Sequence, residues 1–503
     1  MAGHAIPKSI FRMYDIRGRV ENELTPQAAE RIGEVFAGMV RERQAAGGTG
    51  HTGPPTVVVG QDMRLSSPAL SQALTRGLTR SGVDVLAIGL CPTPLLYFTL
   101  HQPPPLRGPL GGGVMVTGSH NPPEYNGLKL CLGVETLYGD ALQRIAAGVA
   151  GSRSQGSVPE GRVETASMLE SYLNHVAGKY LGNPVGAAGV AAGRSGDRVK
   201  MVVDAGNGTA GVVAPELLRR VGCEVIELYC EPDGRFPHHH PDPTIPENLT
   251  DLVRAVASER ADFGVAYDGD ADRIGVVDDR GAIIWGDQLL ALFARAVLRK
   301  QHGALVIADV KSSLIVERQV LDAGGRFLMW KTGHSLIKAK MRESGAALAG
   351  EMSGHLFFAD RYFGFDDAIY ATARLVELVQ HAKQEGATLS RLIDWPATCA
   401  TPEIRIECPD EKKFALVGRI DRQVKPAAAA SPLTLRRVVT VDGVRAEFDG
   451  GWGLVRASNT QPVIVVRCEA TTADRLAAVR AVVRTMIEAA ANESGVSMTT
   501  AGL

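Results

Sequence analysis

VVVGQDMRLSSPALSQALTRGLTRSGVDVLAI, Val57 to Ile88, is the stretch that decides the fold. Val57-Val58-Val59 is short and wholly apolar, as a strand buried on both faces is. The polar run Gly60-Gln61-Asp62-Met63-Arg64 breaks it, Ser67 to Arg80 carries apolar residues at helical spacing, and Gly82 ends the helix before a second apolar strand, Val83 to Ile88. The unit returns as Met201-Val202-Val203, a loop Asp204 to Gly208, a helix near Val213 to Arg220, Gly222 and a strand Glu224 to Leu228. It returns again as Leu305-Val306-Ile307, a loop Asp309 to Ser313, a helix to about Leu321, Gly324-Gly325 and a strand Phe327 to Trp330. Three copies about 100 to 150 residues apart point to one α/β domain used three times, since a solenoid would repeat at a much shorter period.

Outside the copies the pattern changes. Thr25 as a cap and Pro26 at the first helical position open a helix running to about Arg43. Beyond Trp395-Pro396 the chain alternates as short strands (Arg445 to Phe448, Gly453 to Val455, Val463 to Val466) and closes on one helix, Ala473 to Ala491, which reads as a smaller α+β domain. Ala45 to Pro55, Pro103 to Gly113, Gly182 to Gly196 and Pro426 to Pro432 are rich in Gly, Pro or Ala and read as loops or linkers. The expected domains are residues 1–165, 166–283, 284–396 and 397–503, within the three to four that 503 residues suggest. With 54 basic and 55 acidic residues, the formal net charge of −1 gives no field for a nucleic acid partner. The seven cysteines are scattered without a C-x-x-C pair, which argues against disulfides or a thiolate metal site and fits a reducing compartment. No apolar run approaches the ~18 residues of a membrane span, and Met1 to Gly18 lacks a signal-peptide core, so a cytoplasmic protein without membrane partners is expected.

Four stretches carry chemistry. Val114-Met115-Val116 delivers Thr117-Gly118-Ser119-His120 onto a loop that Pro122, Pro123 and Asn126-Gly127 keep from becoming helical; an exposed serine hydroxyl beside an imidazole, with Lys129 ten residues on, suits a phosphate-carrying nucleophile. Arg17, on a short loop ended by Gly18, could offer a planar donor fork to phosphate. Asp268-Gly269-Asp270-Ala271-Asp272-Arg273 places carboxylates at i, i+2 and i+4, a hard-oxygen nest for a divalent cation. An EF-hand loop would need Gly where Arg273 stands and Glu where Asp279 stands. Gly350-Glu351-Met352-Ser353-Gly354-His355 offers an acceptor and a hydroxyl two residues apart, suited to adjacent sugar hydroxyls, with His334 in a neighbouring loop. Arg456-Ala457-Ser458-Asn459-Thr460 combines a guanidinium, hydroxyls, an amide and loop N–H groups as an oxyanion cradle. A fifth stretch, Gly206-Asn207-Gly208-Thr209-Ala210-Gly211, satisfies G-x-G-x-x-G between strand and helix and taken alone would suggest a dinucleotide. The other two copies of the unit lack these glycines, and His238-His239-His240 reads as a loop before Pro241.

Taken in order, the four chemical stretches resemble the signature loops of the α-D-phosphohexomutase superfamily, over nearly the whole chain. Glu351-Met352-Ser353 is most similar to the bacterial phosphomannomutase/phosphoglucomutase branch, since phosphoglucosamine mutases usually carry Gln where Met352 stands. The resemblance implies three α/β domains with mixed sheets and a smaller α+β domain around a central cleft. It implies that Ser119 is the phosphoserine, and that Asp268, Asp270 and Asp272 bind Mg²⁺ with an oxygen of the Ser119 phosphate. Glu351 and Ser353 would hold the sugar 3- and 4-hydroxyls. Arg456, Ser458, Asn459 and Thr460 would hold the phosphate that does not react. Tyr14, Arg17, His120, Lys129, Arg273, Lys311, His334 and His355 would line the reacting end. The implied activity is reversible transfer between C1 and C6 of mannose and glucose phosphates, by a monomer, through glucose or mannose 1,6-bisphosphate. Contacts confined to the 3- and 4-hydroxyls would ignore C2, where the two sugars differ. His120, Lys129 and His355 remain alternative proton-transfer groups. The rival readings are a phosphoglucosamine mutase, a nicotinamide dehydrogenase built on Gly206 to Gly211, and a non-catalytic sugar-phosphate sensor.

Overall fold

The computed structural model describes residues 6–46, 53–151, 158–181, 198–458, 462–496, 498, 500 and 502–503. They form two compact units, one of Met1–Val297 with His334–Ile393, the other of Leu298–Gly333 with Asp394–Leu503.

In the first unit the opening sheet runs, in space, Ile16–Arg19, Tyr125–Leu132, Leu110–Val116, Thr56–Gln61, Asp84–Leu90 and Val163–Thr165, with Glu135–Thr136 paired beside Tyr125–Leu132. Thr56–Gln61 is parallel to both neighbours because a helix carries the chain across each time. The helices Pro26–Ala46 and Ser67–Arg80 bury Ala29, Ile32 and Phe36 from one and Leu70, Leu74 and Leu78 from the other against that sheet. They approach so closely that a Cβ on Gly33 would lie 2.5 Å from the Leu74 carbonyl oxygen and one on Gly77 2.0 Å from that of Glu30. Gly77→Ala is therefore expected to cost about 2 kcal/mol, the overpacking penalty outweighing the ~1 kcal/mol that alanine gains in a helix. Urea denaturation measures it; unchanged stability would mean that the helices separate freely.

The second sheet runs Ile283–Ile284, Ile274–Asp278, Phe263–Tyr267, Lys200–Asp204 and Glu224–Leu228. Lys200–Asp204 is parallel to both neighbours, while Ile274–Asp278 returns antiparallel to Phe263–Tyr267. Leu249, Leu252 and Val256 from the helical side pack on Val202 and Val277. The unit also holds the antiparallel pair Leu348–Gly350 and Leu356–Phe358.

The second unit contains the parallel strands Leu305–Asp309 and Arg326–Trp330, joined through the helix Leu314–Asp322. It also contains an antiparallel sheet ordered Cys399–Ala400, Val463–Ala470, Gly451–Ala457, Val444–Phe448 and Leu435–Val439, with Ile404–Glu407 also on Val463–Ala470. The helices Asp410–Ala429 and Ala473–Ser494 cover it, burying Leu416, Ile420, Val424, Val483 and Ile487. The class is thus α/β with mixed sheets for three segments and α+β for the last. Among the described residues no helix is long and apolar enough to cross a membrane.

Several local expectations are corrected. The last part of the chain has two long helices, not one: Pro426, expected in a linker, lies in the final turn of Asp410–Ala429. A proline there forfeits one hydrogen bond at an end that is about to stop, and the helical spacing of Leu416, Ile420 and Val424 outweighs the loss. Leu110 to Gly113, expected in a loop, begins the strand Leu110–Val116. Arg17 lies on a strand, opposite Gly127, rather than on a loop. The stretch Gly182 to Gly196 falls outside the described residues.

Among the described residues each chemical stretch is flanked by paired antiparallel strands. The pairs Val116 with Leu128, Tyr267 with Ile274, Gly350 with Leu356, and Ala457 with Ile464 close the four loops. Antiparallel return strands are what make the α/β sheets mixed.

Candidate active site

Ser119 is 2% exposed and has a left-handed backbone, φ 48°, which costs a non-glycine residue on the order of 1 kcal/mol. Its N–H donates to Thr117 Oγ1 at 2.8 Å, and its hydroxyl donates to Asp268 Oδ2 at 2.6 Å, with His120 Nδ1 3.2 Å from the same oxygen. Burial, reinforced by Arg273 and Arg17, holds the His120 imidazole well below its ordinary pKa, so it is neutral at pH 7.

Asp268, Asp270 and Asp272 are each fully buried on the hairpin loop, with ligand oxygens within 4.8 Å of one another. Asp268 Oδ1 accepts the N–H groups of Asp272 and Arg273, both at 3.1 Å, which curls the loop around its carboxylate. Thr93 Oγ1 donates to Asp270 Oδ2 at 2.5 Å, and Lys129 Nζ donates to Asp270 Oδ2 at 2.6 Å and to Asp272 Oδ2. Burial alone would depress Lys129, but Asp270 and Asp272 reverse it and hold the ammonium protonated well above its usual pKa. Burial would likewise raise Asp270, and Lys129 instead holds it below the usual range. Asp268 goes the other way: burial, then the neighbouring Asp272 and Asp270, push it well above an ordinary carboxyl. The cluster is short of positive charge, and Asp270 Oδ1 and Asp272 Oδ1 are buried without a hydrogen-bond partner. Three such carboxylates beside a serine oxygen fit a hard divalent cation.

Arg17 donates to Asn121 Oδ1 and pairs with Asp15 Oδ2, both at 2.6 Å, which places it on the Ser119 loop. His334 and His355 stack at 5.6 Å, and Tyr14 meets His334 edge-on at 6.3 Å. Arg273 Nε donates to His355 Nε2 at 2.9 Å, so the imidazole carries its proton on Nδ1, 3.2 Å from Asp366 Oδ2 and 3.6 Å from Asp272 Oδ1. Asp272, His355 and Asp366 also bring ligand atoms within 4.8 Å of one another. Asp366 in turn accepts from Lys338 at 2.8 Å. Glu351 is buried and Ser353 half-buried on the third loop, which is fastened to the aspartate hairpin by Ile274 N–H donating to the Gly354 carbonyl at 3.1 Å.

In the second unit, Lys311 pairs with Glu403 at 3.2 Å, and Arg456 pairs with Asp442 at 3.0 Å. Arg456 and Ser458 are buried; Asn459 and Thr460 fall outside the described residues. Two arginines unnoticed in the sequence fix the Lys311 turn: Arg445 donates to the carbonyls of Val310 and Ser312 at 2.7 Å, and Arg467 to that of Lys311 at 2.8 Å. Lys311, outweighing burial, lowers the Glu403 carboxyl to about 2. Relative to an unfolded value near 4.3, this stabilises the fold fully above about pH 4.3 and is lost as pH falls through about 2. Glu403→Gln is expected to remove on the order of 2 kcal/mol of stability at pH 7 and to flatten the acid limb. Denaturation midpoints between pH 7 and pH 2 check it; parallel wild-type and mutant curves would refute the pairing.

The packing of Gly206 to Gly211 agrees with setting the dinucleotide reading aside. Cβ atoms on Gly208 and Gly211 would lie 2.9 Å from the Gly269 carbonyl oxygen and 1.9 Å from that of Cys230, so protein fills the space a pyrophosphate would need. Thr209 donates its N–H and its hydroxyl to the Gly269 carbonyl, at 3.0 and 3.1 Å, making this loop a brace for the aspartates. The three histidines are spent locally: His238 on Asn207 at 2.8 Å, His239 on Asp204 at 3.1 Å, and His240 on the His120 backbone.

Comparison with known proteins agrees with this geometry. Models of the phosphoglucomutase/phosphomannomutase family match all along the chain: alpha/beta/alpha domain I at residues 8–154, domain II at 170–281, domain III at 285–398 and the C-terminal domain at 403–486. A phosphomannomutase/phosphoglucomutase from Pseudomonas putida is 43% identical over 483 residues, covering 96% of each chain. A phosphoglucomutase from Neisseria gonorrhoeae is 43% identical over 476 residues, 93% of this chain and 94% of the relative. The crystal structure of a phosphoglucomutase/phosphomannomutase family protein from Burkholderia thailandensis superposes with a TM-score of 0.84 at 39% identity, covering 98% and 99% of the two chains. The chain belongs to the phosphoglucomutase/phosphomannomutase family, in the bacterial branch of the α-D-phosphohexomutase superfamily. It is an enzyme, a phosphohexomutase.

Proposed function

We propose that the protein interconverts the 1- and 6-phosphates of glucose and of mannose, with Ser119 carrying the phosphate between them. The observation that carries the reading is the Ser119 hydroxyl 2.6 Å from Asp268 of a buried aspartate trio in which Asp270 Oδ1 and Asp272 Oδ1 lack partners. Asp268, Asp270 and Asp272, with an oxygen of the Ser119 phosphate, would hold Mg²⁺, which when bound supplies charge neutralisation at the transferring phosphoryl group. When Ser119 takes a phosphate from a hexose 1,6-bisphosphate, the bond from phosphorus to the sugar oxygen breaks as that to Ser119 Oγ forms, the departing sugar oxygen gains a proton to become a hydroxyl and the serine hydroxyl loses its own. The neutral His120 Nδ1, 3.2 Å away, accepts it, while Lys129 keeps its own because Asp270 and Asp272 face it. Arg17, Arg273 and Lys311 supply cations for phosphate. His355, orientated by Asp366, presents the nitrogen that Arg273 occupies, and with Tyr14 and His334 it shapes the site around the sugar. Glu351 and Ser353 hold the 3- and 4-hydroxyls, leaving C2 unread. Arg456 and Ser458, with Asn459 and Thr460, hold the phosphate that does not react. The bisphosphate is both intermediate and activator, and the protein works as a cytoplasmic monomer in four domains near residues 1–165, 166–283, 284–396 and 397–503.

A coupled assay with Mg²⁺ and a trace of glucose 1,6-bisphosphate tests this. Glucose 1-phosphate and mannose 1-phosphate are both expected to turn over, and glucosamine 6-phosphate poorly. Turnover of glucosamine 6-phosphate alone would replace the assignment with a phosphoglucosamine mutase; binding of the sugars without turnover would make the protein a sensor.

A further inference from the structure

We propose that Arg64 is a positioning residue for phosphoryl transfer: its guanidinium grips the backbone of the Ser119 loop and so fixes where the serine oxygen points. The inference rests on the reading of Ser119 as the phosphate carrier and names the residue that aims it. Arg64 is 1% exposed, at the carboxyl end of the strand Thr56–Gln61 and just before the helix Ser67–Arg80. Its Nη1 donates to the carbonyls of Pro122 and Tyr125 at 2.6 and 3.0 Å, and its Nη2 to those of Ser119, at 2.7 Å, and Asn121. Four carbonyls of one loop thus turn inward onto two nitrogens of a planar fork, an arrangement that a lysine ammonium cannot reproduce.

The fork is itself held. Asp62 Oδ2 lies 3.2 Å from Arg64 Nε and accepts the Gly118 N–H at 3.1 Å, while Oδ1 accepts the Arg64 N–H at 3.0 Å and the Ser67 hydroxyl. The Phe236 ring covers the guanidinium with its centroid 5.1 Å away. Gly118 has no room for a side chain, since a Cβ would stand 2.4 Å from Arg64 Nε and 2.5 Å from Cζ. None of these bonds touches the Ser119 hydroxyl; they hold the carbonyl of the same residue, whose left-handed φ of 48° sets the direction of its side chain. Losing the fork frees that backbone and leaves the chemical groups intact.

The test compares wild type with Arg64→Lys, Gly118→Ala and the double variant, by steady-state kinetics with glucose 1-phosphate. It also follows the rate at which Ser119 takes phosphate from glucose 1,6-bisphosphate, by quenched-flow intact mass, with thermal melting alongside. Each single variant is expected to lose ~100-fold in kcat and in the phosphorylation rate together, with KM changed less than about threefold. Because both substitutions break one fork, the double variant should fall no more than about threefold below the worse single. Arg64→Ala should regain at least about tenfold in millimolar guanidinium chloride. Gly118→Ala reaches the fork without deleting the arginine, so it decides the matter if Arg64→Lys fails to fold. Wild-type phosphorylation rates in the folded variants, or fully additive losses, would overturn the inference. Absence of phosphate on wild-type Ser119 would instead overturn the phosphoserine reading.

Discussion

Ser119→Ala is expected to lower mutase turnover by at least ~10³-fold, about 4 kcal/mol in the barrier, while leaving the fold and the binding of hexose phosphate intact. The fold should survive because the loop is held through its backbone: Arg64 takes the Ser119 carbonyl and Thr117 the Ser119 N–H, and neither bond needs the hydroxyl. The hydroxyl's own partner is Asp268, which burial and its acidic neighbours already push towards protonation, so removing the donor leaves a group that can neutralise itself. Sugar binding should survive because the residues proposed to hold the sugar phosphate, Glu351, Ser353, Arg456 and Ser458, are elsewhere in the chain. Incubation with ¹⁴C-labelled hexose phosphate and a coupled assay separate the two effects. Residual turnover near the wild-type rate would mean that another group carries the phosphate.

Lys129→Met should show the second large effect, and show it first in stability. In the metal-free protein Lys129 is the cation between Asp270 and Asp272, within a cluster where every carboxylate is fully buried. Removing it strands buried charge, at about 3 to 5 kcal/mol. Added Mg²⁺ should recover much of this, raising the melting temperature of the variant by more than it raises that of wild type. Turnover should also fall by ~10²-fold or more, since a cation beside the transferring group is lost. Melting in EDTA and in Mg²⁺ gives the comparison. Equal metal-free stability of variant and wild type would show that Lys129 is not the compensating charge.

Strand and helix positions were legible wherever apolar residues repeat cleanly: Ser67–Arg80 and Glu224–Leu228 fall where their periodicity places them. The helix Asp410–Ala429 was not, because its charged face and Pro426 mask a buried stripe of modest length. Ser119, the three aspartates and the Glu351 loop stood out as candidates by residue type and spacing, and the resemblance to the phosphohexomutases supplied their expected roles. Their supports did not stand out. Arg64, Thr93, Thr209 and Arg445 act through backbone carbonyls or a single carboxylate far away in sequence, and nothing local marks them. The one available hint was Asp62 and Arg64 standing where the first parallel strand ends, the edge at which α/β sheets gather their functional groups. The glycines of Gly206 to Gly211 imitate a dinucleotide loop for the converse reason: close packing of backbone on backbone selects the same residue as close approach to a phosphate.

The hairpin origin of the four loops bears on the order of events when the chain folds. Each loop is pinched by strands at most a dozen residues apart, as Val116 and Leu128 are, so its ends can meet on the microsecond scale of hairpin formation. The bonds that make the loops chemically useful span far more chain: Ser119 to Asp268 is 149 residues and Lys129 to Asp270 is 141. Contacts of that separation form late. A growing polypeptide would therefore emerge with its loops shaped but inert, and Ser119 would meet the carboxylates only after the chain as far as Asp272 had been made and packed.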